Sequence, residues 1–327
     1  MKMMVDLPAR GYRGRIYLGS FLRYRPLWLK YNGDRKLTDF QVKCILTNRD
    51  IPFEKLRHDK QDLLFIAYDG EVIPYWIEKA DANEIIVWLK FAEIIPGKEI
   101  FWLYYGNGNF SGASDGRATF DFFDDFEDLS KWTILNGEGS GSASIIERDG
   151  EKWLELYAPD RNNRVAVVSP FNTVTENSRY IVETRVYVVS NADGFLVGFG
   201  DGTIASASDD FPGDRFALGE YGRNHNAYHH LSEAISGGCS NRHVIASADF
   251  SLSNGAYYNV YYKHYADYRE SKIGNNVISG TTTNTGLSCS HVHISIASGG
   301  KADFEFIRVR KYTEPEPSVS IGEEETA

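Results

Sequence analysis

Residues 119–128 of the chain read Thr119-Phe120-Asp121-Phe122-Phe123-Asp124-Asp125-Phe126-Glu127-Asp128, and Trp132 closes the stretch. Aromatic and acidic residues alternate here in a way that a helix could not bury on one face. A Gly-rich loop at residues 106–116 precedes the stretch, and a new run of strand-like alternation follows it. The stretch therefore predicts the boundary between two β-domains.

The rest of the chain repeats a pattern of short strands separated by turns. Residues 39–46 and 179–189 alternate between apolar and polar side chains with the period of two that marks a half-buried strand. Asp69-Gly70 and Asp149-Gly150 each join two such runs, which is typical of a two-residue hairpin turn. With 327 residues, 20 Tyr, 19 Phe and 30 Gly, the sequence predicts an all-β protein of two tandem antiparallel β-sandwiches.

Composition divides the chain into four segments. Residues 1–20 contain the basic run Arg10-Gly11-Tyr12-Arg13-Gly14-Arg15, which predicts an N-terminal arm with little to bury. Residues 21–118 and 119–313 are predicted to form the two sandwich domains. Residues 314–327 are acidic and contain prolines, so they predict a C-terminal tail.

Charge is distributed unevenly along the sequence. Residues 1–60 carry 14 Lys and Arg against 6 Asp and Glu, a net charge of +8, while the remainder carries −18. The net acidity of the whole chain argues against nucleic acid as the main partner. A basic front and an acidic body favour head-to-tail contacts between copies and a homo-oligomer, although a solvated charged surface explains the same split.

The sequence shows neither a membrane span nor a secretory signal. No apolar run approaches 18 residues, and residues 1–8 lack the apolar core of a signal peptide. The three cysteines, Cys44, Cys239 and Cys289, do not form a disulfide framework. The sequence leaves open whether Cys239 and Cys289 are bridged, because it does not give the geometry that a disulfide requires.

Several strings resemble known domains. Over residues 24–118 the chain resembles a domain of unknown function from prokaryotic, often archaeal, surface proteins, and the matching strings include Asp39-Phe40-Gln41-Val42, Ile73-Pro74-Tyr75-Trp76-Ile77-Glu78 and Leu103-Tyr104-Tyr105-Gly106-Asn107. Residues 122–126 with Trp132 resemble the entry strand of a concanavalin A-like lectin/glucanase jelly roll, and residues 303–310 resemble its closing strand. The resemblance implies two β-sandwiches, the second a jelly roll, in a surface protein that binds or assembles.

The jelly-roll resemblance raises glycoside hydrolysis as an alternative function. Glycosidases need two carboxylates across one sugar, and the glucanase branch carries them on one strand as Glu-x-Asp-x-x-Glu. This string does not occur in the sequence. We therefore assign no catalytic residues and expect a protein that is not an enzyme, since a fold alone does not imply an activity.

Acidic residues suggest calcium as a cofactor. Asp124 or Asp125 on the entry strand and Asp303 on the closing strand would bring these two strands together at one Ca²⁺, a hard cation that takes carboxylate oxygens from several segments. Solvated acids near a sheet edge explain the same pattern. A second acidic cluster lies in a Gly-containing loop and consists of Asp201, Asp209, Asp210 and Asp214.

A run of soft ligands suggests zinc as a further alternative. Cys289, His291 and His293 alternate, so all three are expected on one face of a strand. His229 and His230 from a long loop would complete a set of thiolate and imidazole ligands that suits Zn²⁺. A polar outward face explains the same alternation, because the apolar residues in between point the other way.

Tyrosines crowd the second domain and suggest a glycan site. The candidates for ligand binding are Tyr221, Tyr228, Tyr258, Tyr262 and Tyr265. Sugars stack their C–H faces on such rings, while core packing is the competing explanation because a tyrosine buries a large area. We therefore expect a non-catalytic binding or assembly protein, exposed on a virion, filament or cell envelope, with glycans or copies of itself as partners. A polysaccharide hydrolase and a structural spacer are the alternatives.

Overall fold

The computed structural model describes residues 4–7, 14–136, 140–160, 163–190, 194–203, 215–222, 228–297, 299–323 and 325–326. Nearly all of its regular structure is strand, and every strand pair within its sheets is antiparallel, so the predicted all-β class is confirmed. The chain divides into two compact units, which we call unit 1 (residues 1–121 and 313–327) and unit 2 (residues 122–312).

The strands of the first 121 residues are β1 (Met4–Leu7), β2 (Gly14–Tyr17), β3 (Arg23–Tyr31), β4 (Leu37–Thr47), β5 (Leu64–Ile66), β6 (Tyr75–Ala80), β7 (Glu84–Ile94) and β8 (Gly97–Tyr105). Those of unit 2 are β9 (Phe122–Asp124), β10 (Thr133–Asn136), β11 (Ser142–Arg148), β12 (Glu151–Tyr157), β13 (Arg164–Thr175), β14 (Arg179–Ser190), β15 (Phe195–Gly200), β16 (Phe216–Gly222), β17 (Tyr228–Ala234), β18 (His243–Asp249), β19 (Ala256–Tyr265), β20 (Tyr268–Ile273), β21 (Asn276–Thr281), β22 (Ser288–Ala297) and β23 (Lys301–Lys311). The last two are β24 (Ser318–Ile321) and β25 (Glu325–Thr326). Short helical segments are α1 (Gly116–Thr119) and the 3₁₀ turns Leu18–Ser20, Phe53–Lys55 and Gly238–Asn241.

Apart from the β1-β2 hairpin, the described part of unit 1 is built from two sheets around a main apolar core. One sheet has the order β24-β3-β8-β5, with β25 also paired to β3, and the other has the order β4-β7-β6. Alternate residues of each strand point inward, as in β3, where Leu27, Leu29 and Tyr31 are buried. Further core residues from both sheets include Val42, Leu46, Val87, Leu89, Phe101 and Leu103.

Two buried polar side chains, Asp62 and Tyr75, hold loops of unit 1 in place through hydrogen bonds to the backbone. The carboxylate of Asp62 accepts hydrogen bonds from the backbone amides of Arg57, at 2.9 Å, and Gly106, at 3.0 Å. The Tyr75 hydroxyl donates to the backbone carbonyl of Leu63 and accepts from the amide of Ala113. Tyr75 and Gly106 belong to two of the strings by which residues 24–118 resemble the domain of unknown function. These strings therefore contribute hydrogen bonds that hold the loops between strands in place.

The two ends of the chain differ from the sequence-based expectation. Within residues 1–20, expected as an arm, β1 and β2 pair with each other as an antiparallel hairpin, and Leu18 packs in an apolar cluster with Leu64 and Ile66 of β5. Residues 314–327 are not a separate tail either. β24 pairs with β3, and Val319 and Ile321 pack against the core of unit 1. The acidic residues and prolines of this segment predicted a tail, although the alternation of polar and apolar residues in Ser318–Ile321 is that of a short strand.

Unit 2 is a sandwich of two large sheets. One sheet has seven strands in the order β10-β13-β22-β15-β16-β17-β18, and the other has the order β11-β12-β23-β14-β19-β20-β21, with β9 also paired to β23. Strands that follow one another in the chain often lie in different sheets, as in a jelly roll. The core between the sheets includes Leu154, Val167, Val182, Val197, Phe199, Tyr262, Ile294 and Phe304.

Candidate functional site

Three of the five candidate tyrosines face the interior of unit 2. Tyr221 is buried, and its hydroxyl shares a hydrogen bond of 2.6 Å with the Ser271 hydroxyl. Tyr262 is buried in the same core, while Tyr258 is half-buried, packs against the core and accepts a hydrogen bond from the amide of Ser253. These rings contribute to packing, which is the explanation that competed with ligand binding.

The other two tyrosines lie on opposite outer surfaces. Tyr265 is on the outer face of the sheet that contains β19, where its ring meets Tyr312 edge-on and the Arg179 guanidinium lies 4.8 Å from its centroid. Tyr228 lies on the outer face of the seven-stranded sheet, because its neighbour His229 is buried and side chains alternate along a strand. The structure therefore does not bring the five tyrosines together at one site.

Tyr228 belongs to a polar cluster that sequence reasoning did not assemble. Its ring is stacked on the His230 imidazole, with centroids 3.8 Å apart and planes 16° from parallel. His230 lies directly across from Glu220 on the neighbouring strand β16. We call Glu220, Tyr228, His230, Ser232 and Arg242 the outer-face cluster.

Glu220 is the centre of the outer-face cluster and is almost fully buried. One of its carboxylate oxygens accepts a hydrogen bond from the Ser232 hydroxyl, and the other lies 2.9 Å from an Arg242 nitrogen. Arg242 also contacts the His230 Nδ1 atom, which lies 3.7 Å from the carboxylate. The carboxylate thus fixes the directions in which the arginine and the imidazole face solvent.

The cluster combines a buried anchor with partly exposed tips. The side chains of His230 and Arg242 are 22% and 20% exposed, whereas that of Glu220 is only 4% exposed. Beside the cluster, on the same face of the sheet, Leu196, Phe216, Leu218 and Ala234 form a small apolar cluster that is itself buried. A flat ring pair, a guanidinium and an imidazole held in fixed directions offer stacking and hydrogen bonds to a polar ligand.

The acids assigned to calcium are separated and engaged within the protein. Asp124 is buried, and its carboxylate accepts hydrogen bonds from the Trp132 indole, at 2.7 Å, and the Phe126 amide, at 3.1 Å. Asp124 lies across from Ile307, four residues along β23 from Asp303, which corresponds to about 13 Å. Asp303 is buried and binds the Arg148 guanidinium, and Asp125 is half-buried.

Within the described ranges, no group of three or more His, Cys, Asp and Glu side chains is arranged to hold a metal ion. Calcium at residues 124, 125 and 303 stays a prediction of the sequence, without a shared site among these residues. In the second acidic cluster, Asp201 accepts hydrogen bonds from Thr203 and the Arg215 amide, and residues 209, 210 and 214 lie outside the described part of the chain.

The proposed zinc ligands do not share one face. Cys289 packs in the core with the apolar residues of β22, and burial raises the pKa of its thiol. Cys289 is a free cysteine, and the side chain of Cys239 lies outside the described part of the chain. His293 is also buried but contacts the Ser295 hydroxyl, while His291 is half-exposed. Between Cys289 and His291 the side chains of β22 change the face of the sheet to which they point, and the pairing of β22 with β13 shifts register at the same place.

His229 faces the core and belongs to a different network from His230. Its two ring nitrogens lie 3.0 Å from the Ser271 hydroxyl and 2.6 Å from the Asn276 carbonyl oxygen. Burial lowers the pKa of His229 to about 4. The imidazole is therefore neutral near pH 7 and links the two sheets.

Sequence reasoning missed Glu220, Ser232 and Arg242. The available signal was the alternation of β17, in which Tyr228, His230 and Ser232 are every second residue and therefore share a face. The pairing of β17 with β16 and the position of Arg242 depend on contacts that no local pattern encodes.

No helix among the described residues combines the length and the apolar character that crossing a membrane requires. No curated protein matches the chain. Among solved structures, the chain is similar to a protein of unknown function with a galectin-like fold from Bacillus subtilis. The two share 14% sequence identity with a TM-score of 0.45, and the likeness covers 58% of this chain and 94% of that one.

Two further structures are similar at the level of the fold. A carbohydrate-binding module (CBM66) from Bacillus subtilis has 12% identity and a TM-score of 0.39, with coverage of 55% of this chain and 96% of that one. A family 16 endo-glucanase from Bacteroides ovatus has 12% identity and a TM-score of 0.41, with coverage of 57% and 99%. At the sequence level, residues 59–135 match the model of a domain of unknown function, DUF2341.

Proposed function

We propose that the protein binds glycans, without turning them over, through the outer-face cluster of unit 2. The observation that carries the proposal is the stack of Tyr228 on His230 beside the Glu220–Arg242 ion pair. A sugar presents an apolar C–H face and a rim of hydroxyl groups. The stacked rings suit the face, while the guanidinium and the imidazole suit the hydroxyls.

Binding is favoured over hydrolysis because of how Glu220 is held. A glycosidase needs one carboxyl group to protonate the leaving oxygen and a second to act on the other side of the sugar. Both oxygens of Glu220 are occupied by Ser232 and Arg242, and the side chain is almost fully buried. These contacts suit an anchor for donors, not an acid that must reach the substrate.

A glycan array followed by titration calorimetry on the best ligand tests the proposal. Tyr228→Ala is expected to weaken binding at least tenfold, Tyr228→Phe to retain it, and Arg242→Gln to weaken it similarly. Tyr265→Ala is the matched control, because this ring lies on the other sheet. An array without ligands, equal affinities for Tyr228→Ala and Tyr265→Ala, or released sugars in the chromatogram would each overturn the proposal.

We further propose that copies of the chain assemble on an exposed structure such as an envelope, filament or virion. The support is the charge split between residues 1–60, at +8, and the remainder, at −18. Light scattering across a salt series tests it. Larger particles at low salt that dissociate at high salt are expected, since salt screens such contacts, and a monomer at every salt concentration would refute assembly.

A further inference from the structure

Unit 1 has a groove on the outer face of the sheet that contains β3 and β8. The groove has a volume of about 480 Å³ and is lined by Trp28, Tyr68, Glu93, Ile95, Pro96, Lys98, Glu99 and Ile100. Trp28 on β3 lies directly across from Ile100 on β8, so both point to the same face. The turn between β7 and β8 supplies Ile95 and Pro96.

The groove exposes apolar surface that the fold does not require. Tyr68 is 71% exposed and Ile95 is 57% exposed, which is high for large apolar side chains. The Tyr68 ring lies nearly parallel to the Trp102 ring, 23° apart with centroids at 6.0 Å. Trp102 thus supports Tyr68 as a platform whose other side faces solvent.

Charged groups of both signs surround the platform. The Lys98 ammonium lies 4.0 Å from the centroid of the Trp28 ring, and Glu93 is paired with Lys36 at 2.8 Å. Glu99 also lines the groove. Burial raises the pKa of the Glu99 carboxyl group, and Asp69 lies close enough to raise it further, together with Glu93. Two lysines and three acids thus offer both donors and acceptors of hydrogen bonds, with a small excess of negative charge that disfavours a polyanion.

We propose that this groove is a second saccharide site, which takes a neutral, linear polysaccharide. Aromatic rings suit the C–H faces of successive sugars, and the mixture of ammonium and carboxylate groups suits hydroxyls, which both donate and accept. The volume lies within the range of small-ligand sites. The inference rests on the proposed function in that it concerns glycans, but it places a separate binding site on a separate unit.

Titration of the full chain with hexasaccharides of β-1,4-linked glucose, mannose and xylose tests the proposal. At least one hexasaccharide is expected to bind, and Tyr68→Ala to weaken that binding at least tenfold. We chose Tyr68 for substitution because its side chain is exposed, so a loss of binding in Tyr68→Ala would not be caused by misfolding. Glu99→Gln, which keeps the side-chain length, and Lys98→Gln, which removes the positive charge, are expected to weaken binding by a smaller factor.

Tyr157→Ala provides the matched control, because this tyrosine is exposed in unit 2 and belongs to neither site. Loss of binding in Tyr68→Ala with retention in Tyr157→Ala and Tyr228→Ala supports the groove. Loss only in Tyr228→Ala refutes the groove and leaves the outer-face cluster standing. Loss only in Tyr68→Ala supports the groove, and the outer-face cluster is then judged by the glycan-array ligand alone. Absence of binding by all three hexasaccharides overturns the groove proposal directly.

Discussion

The indole nitrogen of Trp132 donates a hydrogen bond of 2.7 Å to the carboxylate of Asp124, and both side chains are buried. The same carboxylate accepts from the amide of Phe126, which has a positive φ of 54° and is also buried. The acid on the entry strand of unit 2 is thus an internal acceptor that shapes the turn toward Trp132.

Asp124→Ala is expected to lower the free energy of unfolding of unit 2 by about 2–3 kcal/mol, because two buried donors lose their acceptor. Urea unfolding followed by tryptophan fluorescence measures the change. Glu127→Gln is the control, since its pair with Lys152 is exposed to solvent and contributes little to stability. Stabilisation of the wild type by added Ca²⁺, lost in Asp124→Ala, would favour the calcium hypothesis instead.

Glu183→Gln is expected to cost about 3–5 kcal/mol, because it leaves two nearly buried arginines without their anion. Glu183 lies 2.8 Å from the Arg308 Nε atom and 3.1 Å from the Arg310 Nε atom. Burial disfavours the carboxylate, but the two guanidinium groups outweigh burial and lower the pKa of Glu183 to about 2.

The depressed pKa makes the contribution of Glu183 dependent on pH. It is complete above the ordinary pKa of 4.5 and is lost as the pH falls toward 2. Chemical unfolding between pH 5 and 3 should therefore show a shallower loss of stability in Glu183→Gln than in the wild type. Glu305→Gln removes a more exposed pair with Arg185 and is the control, because it should change the slope less than Glu183→Gln does.

Buried histidines predict a loss of stability at mildly acidic pH. Burial lowers the pKa of His229 to about 4 and the pKa values of His264 and His293 to about 3. The unfolded chain binds these protons near pH 6.5, so each neutral histidine costs about 1.4 kcal/mol of stability per pH unit below that value. Unfolding by urea between pH 7 and 5 measures the slope.

Replacement of one buried histidine isolates its share of that slope. His229→Gln removes one proton-binding group, so the fall in stability between pH 6.5 and 5 should be shallower by about 1.4 kcal/mol per pH unit. His243→Gln is the control, because His243 is exposed. Parallel slopes for His229→Gln and the wild type would contradict the assignment.

Deletion of residues 314–327 is expected to destabilise unit 1 by about 2 kcal/mol or more. β24 contributes Val319 and Ile321 to the core, and partial burial of such side chains stabilises by roughly 1 kcal/mol each, before the loss of pairing with β3 is counted. Hydrogen exchange of the β3 amides should rise in the deletion variant. Unchanged exchange would indicate that β24 adds nothing to the sheet.

Local patterns were sufficient for many of the strands and turns, but not for β17, because His229 and His230 were expected in a long loop and lie on this strand. Alternation predicted β4 and β14, and the Asp-Gly pairs predicted turns where Gly70 and Gly150 adopt positive φ values of 92° and 83°. The fold class follows from such patterns because they depend on neighbouring residues alone.

Local patterns were insufficient where the choice of face depends on distant strands. A crowd of tyrosines does not show which rings point inward, and Tyr221 and Tyr262 proved to be core residues. The shift of register between Pro170 and Val174 in β13 goes with the burial of Cys289 on the side opposite to that expected. Arg242 lies beside Glu220 because β17 pairs with β18, which begins at the next residue, and no local sequence pattern predicts this pairing.

The pairing of β24 with β3 joins residues 318–321 to residues 27–30 of the same sheet. Unit 2 is consequently an insertion within unit 1, and the insertion is complete in the chain before the last strand of its host has been synthesised. During translation from the N-terminus, all the strands of unit 2 leave the ribosome while unit 1 still lacks β24. The jelly roll is therefore the first of the two units that can reach its final topology, and unit 1 is completed only after residues 318–321 have been made.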